Sequence, residues 1–163
     1  MQPTELLKSL AAAFPNFEVK PDTAAVYERM LVDEPPELLA LAEKRLLARC
    51  RFFPSIAEIR GACTDILMEA VPTPAEAWGL VRRHIHGELT DGERNSPAFR
   101  VVERAVKCLS GWYDLRRSEN LVADRAHFWE VYKAMLGRER ERLLLEPALG
   151  AGEYLKLGGG DEG

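Results

Sequence analysis

The placement of proline constrains the fold of this chain more than any other feature of its sequence. Ten prolines are spread over 163 residues, and most fall at the edges of segments whose apolar side chains have helical spacing. A proline fits the first turn of a helix, where its missing amide hydrogen needs no partner, but it disrupts a helix interior. The pattern predicts helices over residues 4–14, 21–31, 35–50, 55–67, 73–85, 96–109 and 124–145.

The stretch FFPSIAEIR, residues 52–60, contains the sharpest interruption. Pro54 disfavours helix at the residue before it, so the preceding helix is predicted to end just before the two phenylalanines. Ser55 and Glu58 have the spacing of a capping box, in which each side chain bonds the other residue's backbone amide at a helix start. Phe52 and Phe53 are predicted to wedge into the core. The predicted helix–helix corner consists of Phe52, Phe53, Pro54, Ser55 and Glu58.

Helical spacing predicts an all-α protein: a compact multi-helix bundle of about six helices with a flexible C-terminal tail. No segment has the alternation of a strand, and the polar segments 86–97 and 112–121 are predicted to be connections. We predict an N-terminal helical domain over residues 1–71 and a C-terminal helical region over residues 72–146. The glycine-rich end, residues 147–163, is predicted to be the flexible tail.

The composition is typical of a chain with a core, since 47% of the residues are hydrophobic and 29% are charged. No apolar run has the length of a bilayer span, and the first residues lack the pattern of a secretory signal. The three cysteines are odd in number and far apart, which favours a reducing cytoplasm. The net charge of −4 argues against a protein whose main role is to coat nucleic acid.

No residue pattern indicates catalysis, a cofactor or a metal. His84 and His86 are two positions apart, so on a helix they point in different directions, and His127 is distant in sequence. The cysteines lack the paired spacing of a zinc site, and neither a phosphate-binding glycine motif nor a GxSxG nucleophile is present. We therefore predict a protein that is not an enzyme, with no catalytic, cofactor-binding or metal-binding residues.

Several arginines in the second half of the chain are candidates for contact with phosphate groups. The candidate nucleic-acid contacts are Arg82, Arg83, Arg100, Arg104, Arg116 and Arg117. Acidic residues such as Glu88, Glu103 and Asp114 are interleaved with these arginines. This mixture of charges favours a solvated surface over a track for DNA.

Two segments near the end of the chain are candidates for binding a protein partner. The island EYLKL, residues 153–157, could become ordered on a partner, although it could equally be an end without a role. The alternating charges of RERER, residues 138–142, are typical of an exposed helix surface. The candidate partner-binding residues are Tyr154, Leu155, Leu157, Arg138 and Arg142.

The first eighty residues, about half of the chain, resemble a known family. The elements that carry the resemblance are Phe14-Pro15 with Phe17, then Tyr27, Leu31, Asp33, Pro36 and Glu37, and finally FFPSIAEI with PTPAEAWG shortly after it. Together they are similar to the N-terminal domain of the replicative helicase loader/inhibitor proteins of phages and prophages of Gram-positive bacteria. FFPSIAEI is the most specific of these elements.

The resemblance implies a non-catalytic protein of phage or prophage DNA replication that binds the hexameric replicative helicase and inhibits or loads it. The helicase would supply the ATPase activity, and an origin-binding initiator protein could be a further partner. The implied location is the cytoplasm of the bacterial host cell, with no cofactor and no membrane. The alternative is a DNA-binding replication or regulatory protein that uses the corner as a helix-turn-helix, so direct DNA contact stays open.

Overall fold

The structure is a computed structural model that describes residues 1–146, and every regular element in this range is an α-helix. The helices are α1 (Pro3–Ala13), α2 (Pro21–Leu31), α3 (Pro36–Arg49), α4 (Ile56–Glu69), α5 (Pro74–Ile85), α6 (Asp91–Asn95), α7 (Pro97–Lys107), α8 (Gly111–Arg117) and α9 (Leu121–Leu145). The all-α prediction is confirmed. The predicted flexible tail, residues 147–163, lies outside the described residues.

Two short helices, α6 and α8, lie in segments predicted to be connections, so the described range has more helices than the expected six or so. At α6 the Glu93 amide donates to Thr90 Oγ1 at 3.2 Å, and the Thr90 amide donates to Glu93 Oε2 at 2.9 Å. This is a capping box that the sequence analysis missed. Gly111, with a φ of 84°, adopts the left-handed conformation at the junction of α7 and α8.

The described range divides into two compact units. The first comprises residues 1–69 with 142–146, and the second comprises residues 70–141. The predicted boundary between residues 71 and 72 lies two positions after the observed one, and the end of α9 belongs to the first unit. The reason is local to that unit: Leu143 is buried, and the Leu144 carbonyl oxygen accepts a hydrogen bond from Arg60 Nη1 at 2.9 Å.

Leucine dominates the core of the first unit, where α3 packs against α4 and α1 packs against α2 and α3. Its buried apolar residues are Leu6, Leu7, Leu10, Leu31, Leu38, Leu39, Ala42, Leu46, Ile59, Ala62, Cys63, Leu67 and Leu143. A two-bond ion pair joins α3 to α4: Arg45 donates to the two carboxylate oxygens of Glu69 at 3.0 Å and 2.7 Å. Burial of these side chains, rather than helix propensity, holds the helices in place.

The core of the second unit relies on valine and aromatic side chains. The Phe128 ring lies 5.5 Å from that of Trp78 and stacks on that of Tyr132 at 5.4 Å, and the Tyr132 hydroxyl donates to the Pro72 carbonyl oxygen at 2.7 Å. Its buried apolar residues are Val71, Ala77, Trp78, Val81, Leu89, Phe99, Val101, Val102, Ala105, Val106, Leu115, Phe128 and Tyr132. Across residues 1–146, no helix combines the length and the apolar character needed to cross a bilayer.

Candidate functional site: an aromatic corner in the first unit

A surface cavity of about 310 Å³ lies in the first unit where the chain leaves α1 and where it leaves α3. We call it the corner cavity, and its lining residues are Ala13, Phe14, Pro15, Asn16, Phe17, Arg51, Phe52 and Phe53. Half of the lining residues are phenylalanines, and Arg51 is the charged one among them. The cavity therefore combines a phenyl-lined wall with polar surface, and that polar surface includes a single cation.

Local chemistry sets the start of α4 at this corner. The Ser55 amide donates to Glu58 Oε2 at 2.7 Å, and the Glu58 amide donates to Ser55 Oγ at 3.3 Å, which completes the capping box. The bonds from Ser55 lower the pKa of the Glu58 carboxyl, because they stabilise its charged form. The Tyr27 hydroxyl of α2 donates to the Pro54 carbonyl oxygen at 3.1 Å and ties the corner to the rest of the unit.

Phe53 is the aromatic centre of the corner. Its ring stacks on that of Phe17 with centroids 4.3 Å apart, and it meets Phe14 and Tyr27 edge-on at 6.4 Å and 5.9 Å. Each such pair contributes about 0.5–1.5 kcal/mol beyond the burial of its area. Burial at this site, followed by the charge of Glu58, also raises the pKa of the Tyr27 hydroxyl. The corner is thus a fixed aromatic cluster and not a loose loop.

The prediction that Phe52 wedges into the core is wrong, because its side chain is 83% exposed. The chain is extended at Cys50 and bends at Arg51 and Phe52 before α4 begins. When Phe53 turns towards Phe17, Phe52 is left facing the solvent at the rim of the cavity. The exposed Phe52 ring thus lies next to the other phenyl rings of the cavity and forms one aromatic surface with them.

A buried polar cluster lies in the same unit. The Arg60 guanidinium donates to the Met30 carbonyl oxygen and to Asp33 Oδ1, the latter at 2.7 Å. Glu34 is only 5% exposed, and within the described residues its Oε2 has no hydrogen-bond partner. Burial raises the pKa of the Glu34 carboxyl to about 7, with a partial offset from Arg60, and also raises the pKa of the Cys63 thiol. Glu34 therefore titrates near neutral pH.

The arginines predicted to contact nucleic acid all belong to the second unit, where several have partners. Arg83 forms an ion pair with Glu93, Nη1 to Oε1 at 2.7 Å, and Arg117 lies over the Tyr113 ring and bonds its hydroxyl. The exposed members of the set are Arg82, Arg100, Arg104, Arg116 and Arg117. Twelve basic and eleven acidic side chains leave this unit with a net charge of +1, which is a weak field for attracting DNA.

A histidine–aromatic cluster in the second unit escaped the sequence analysis. The His84 ring lies 4.1 Å from the Trp112 ring and 5.2 Å from the Phe99 ring, and Arg116 Nη2 lies 3.3 Å from His84 Nε2. Arginine can only donate, so a hydrogen bond between these two atoms requires a neutral ring that accepts at Nε2. Burial first, and then the charge of Arg116, lowers the pKa of His84. No sequence spacing links residues 84, 99 and 112, so only the fold could place them together.

The predicted partner-binding residues Tyr154, Leu155 and Leu157 lie outside the described residues. On α9, Arg138 is exposed and Arg142 is half-buried, and they belong to the second and the first unit respectively. Arg51, a residue of the candidate site, was not predicted from the sequence. A signal was present, because the motif that begins at Phe14 and the motif that begins at Phe52 both follow a helix end.

Among residues 1–146, no group of three or more histidine, cysteine or carboxylate side chains is placed to hold a metal ion. Comparison with protein-family models, with curated proteins and with solved structures finds no match to this chain. The chemistry of the corner is consequently the basis for a functional proposal.

Proposed function

We propose that this chain acts by binding another protein through the corner cavity and Phe52, and that it is not an enzyme. The observation that carries the proposal is the 83% exposed Phe52 ring beside a cavity lined by further phenyl rings. Removing exposed phenyl rings from water is favourable, so the corner favours contact with an apolar surface. Aromatic residues and arginine, both present here, are the side chains enriched at the energetic centres of protein interfaces.

The expected contribution of Phe52 to such a complex is large enough to measure. Full burial of a phenylalanine side chain stabilises a complex by about 1.5–3 kcal/mol. This free energy corresponds to roughly a 10- to 100-fold change in the dissociation constant. Phe53 and Phe17 already stack in the free protein, so the cavity needs little ordering when a partner arrives.

The proposed partner is the hexameric replicative helicase, and its identity rests on the sequence resemblance to phage helicase loader/inhibitor proteins. In this proposal the chain binds the helicase in the cytoplasm of the bacterial host and inhibits or loads it during phage or prophage DNA replication. Binding and release are its mechanism, and the helicase supplies the ATPase activity. An origin-binding initiator is a further partner, and the candidates Tyr154, Leu155, Leu157, Arg138 and Arg142 provide a second contact.

The test mixes the full chain with the replicative helicase of the same genome or of its bacterial host, with and without ATP. Size-exclusion chromatography with light scattering then gives the mass of any complex. We expect a complex of defined stoichiometry that depends on the nucleotide. We expect Phe52→Ala to weaken it by roughly 10- to 100-fold, since the variant removes the exposed ring.

The matched control is Tyr113→Ala, which removes an exposed aromatic ring, 68% accessible, from the second unit. This variant should bind the helicase as the unmodified chain does. The absence of a complex in every nucleotide state would overturn the helicase proposal. A complex that resists Phe52→Ala but is weakened by Tyr113→Ala would move the binding surface to the second unit.

A further inference from the structure

We infer that the corner cavity receives an apolar side chain that the partner carries directly beside a carboxylate, with Arg51 meeting the carboxylate. This inference rests on the proposed binding role of the cavity and adds the chemistry of what enters it. An apolar wall alone would accept any hydrophobic segment. The charges around the cavity limit which partner segments can bind there.

The size of the cavity limits how large a group can enter it. Its volume of about 310 Å³ lies at the lower end of the range of about 300–1,000 Å³ that is typical of small-molecule sites. Such a volume suits one or two side chains of a protein rather than a large cofactor. The stacked rings of Phe53 and Phe17 lie in the wall, and stacking or edge contact with them favours an aromatic or branched aliphatic side chain.

The charges near the cavity limit the charge of the partner segment that can bind. Nine basic and twelve acidic side chains give the described part of the first unit a net charge of −3. The corner cavity departs from this balance, because among residues 1–146 it is lined by one cation, Arg51, and by no carboxylate. Within residues 1–146, Arg51 is exposed and forms no ion pair of its own. Its guanidinium is thus available to a carboxylate of the partner at the rim.

A neighbouring cavity of the same unit shows the contrast. A second depression, of about 270 Å³, lies between α3 and α4, and both signs of charge line it, including Arg45, Arg49, Glu58 and Asp65. Arginine and carboxylate side chains are mixed there, so it has no preference for one sign. The corner cavity combines phenyl rings with a single sign of charge, which discriminates between acidic and basic partners.

A second copy of this chain fits the corner less well. In a two-fold symmetric contact each Phe52 would enter the cavity of the other copy, and the two Arg51 side chains would be brought towards each other. Like charges that approach in this way oppose association. A partner with a carboxylate beside its apolar side chain avoids the repulsion and gains an ion pair.

The test uses the full chain and two capped heptapeptides, Ser-Gly-Asp-Phe-Leu-Gly-Ser and the same peptide with lysine in place of aspartate. Each peptide is titrated at millimolar concentration and low salt, and the aromatic NMR signals of the corner phenylalanines report binding. We expect the aspartate peptide to bind about fivefold more tightly, as for an exposed charge pair. The difference should shrink as salt is added.

Arg51→Glu should reverse the preference, so that the lysine peptide binds more tightly. The matched control is Arg49→Glu, which makes the same change of charge in the same unit at a residue that does not line the corner cavity. Equal affinity for the two peptides, or no shift of the corner signals with either, would overturn the inference. So would a reversal caused equally by the control.

The peptides contain no part of a helicase, which keeps the two proposals separable. A preference for the aspartate peptide together with no helicase complex would overturn the helicase as the partner and support the inference. A helicase complex weakened by Phe52→Ala, together with equal peptide affinities, would support the proposed function and overturn the inference.

Discussion

Both units of this protein begin a helix with a capping box, but the apolar side chain near that box is exposed in the first unit and buried in the second. In the first unit, Ser55 and Glu58 start α4, and the aromatic residue Phe52, three positions before Ser55, is exposed. In the second unit, Thr90 and Glu93 start α6, and the apolar residue just before them, Leu89, is 3% exposed. The capping box decides where a helix starts, but the packing around it decides whether a nearby apolar side chain is available to a partner.

The units also differ in how their charged groups are arranged. Arg83 of the second unit pairs with the carboxylate of a capping box, and this bond is the main reason that the pKa of Glu93 falls to about 2. In the first unit, Arg51 stands beside the corner cavity without such a pair. Arg83 is thus neutralised within its own unit, whereas Arg51 stays a cation at a candidate binding surface.

The largest expected effect separates the two neighbouring phenylalanines of the corner. Phe53→Ala should lower the free energy of unfolding by about 2–4 kcal/mol, because it removes the ring contacts with Phe14, Phe17 and Tyr27. Phe52→Ala should change it by less than about 0.5 kcal/mol, because its ring is exposed. Urea unfolding followed by far-ultraviolet circular dichroism measures both. Similar losses for the two variants would mean that Phe52 is packed, against the comparison drawn above.

The next effect concerns the response of the first unit to pH. Glu34 has a pKa of about 7 in the folded state against 4.5 for the ordinary carboxyl, so stability is fully present below about pH 4.5 and is lost as the pH rises through 7. The loss amounts to about 3 kcal/mol, at 1.36 kcal/mol per pH unit. Glu34→Gln should remove this dependence and make the protein more stable than the unmodified chain at pH 8.

Hydrogen exchange of amides in α2 and α4, compared at pH 4.5 and pH 8 after correction for the intrinsic exchange rate, measures the effect of Glu34→Gln in the first unit. Glu37→Gln is a matched control, because Glu37 is an exposed carboxylate of the same unit. If both variants keep the pH dependence of the unmodified chain, Glu34 does not titrate in the way its burial requires.

The second unit should respond to pH in the opposite direction, with a smaller effect. The pKa of His84 is lowered in the folded state, so its contribution to stability is present above the ordinary value of 6.5 and is lost as the pH falls through the folded value. His84→Phe should remove this dependence, because a phenyl ring keeps the contacts with Trp112 and Phe99 but cannot take up a proton. Solvent near the ring screens the effect.

The response of the second unit can be read separately, because all three tryptophans, Trp78, Trp112 and Trp129, belong to it. Urea unfolding followed by tryptophan fluorescence at pH 5 and pH 7.5 therefore tests His84→Phe. His127→Phe, at an exposed histidine of the same unit, is the control. If the pH dependence is kept in His84→Phe and lost in His127→Phe, its source is His127 and the prediction for His84 is wrong.

The smallest expected effect is on DNA binding, the alternative drawn from the arginines. With a net charge of +1 and several arginines already engaged, the second unit should give at most weak binding to a duplex oligonucleotide at physiological salt. Fluorescence anisotropy between low and physiological salt measures this. A tight complex whose affinity falls steeply with salt and with Arg100→Ala would favour the DNA-binding hypothesis instead.

The position of the corner in the chain could be predicted from the sequence, but the exposure of its side chains could not. FFPSIAEI predicts the corner, and Ser55 and Glu58 bond as their spacing requires, because a capping box acts within four residues. The orientation of Phe52 was predicted incorrectly. It depends on contacts of Phe53 with Phe17 and Tyr27, which are 36 and 26 positions away along the chain.

The sequence by itself determined the all-α class, most helix limits and the start of α4, because proline geometry, apolar periodicity and capping bonds act over a few residues. Only the tertiary structure decided which phenylalanine is exposed, which arginine is left beside a cavity, and that His84 meets Trp112. These outcomes depend on burial and charge among residues far apart in the chain. No local pattern encodes such proximities, and the proposed function of the corner depends on them.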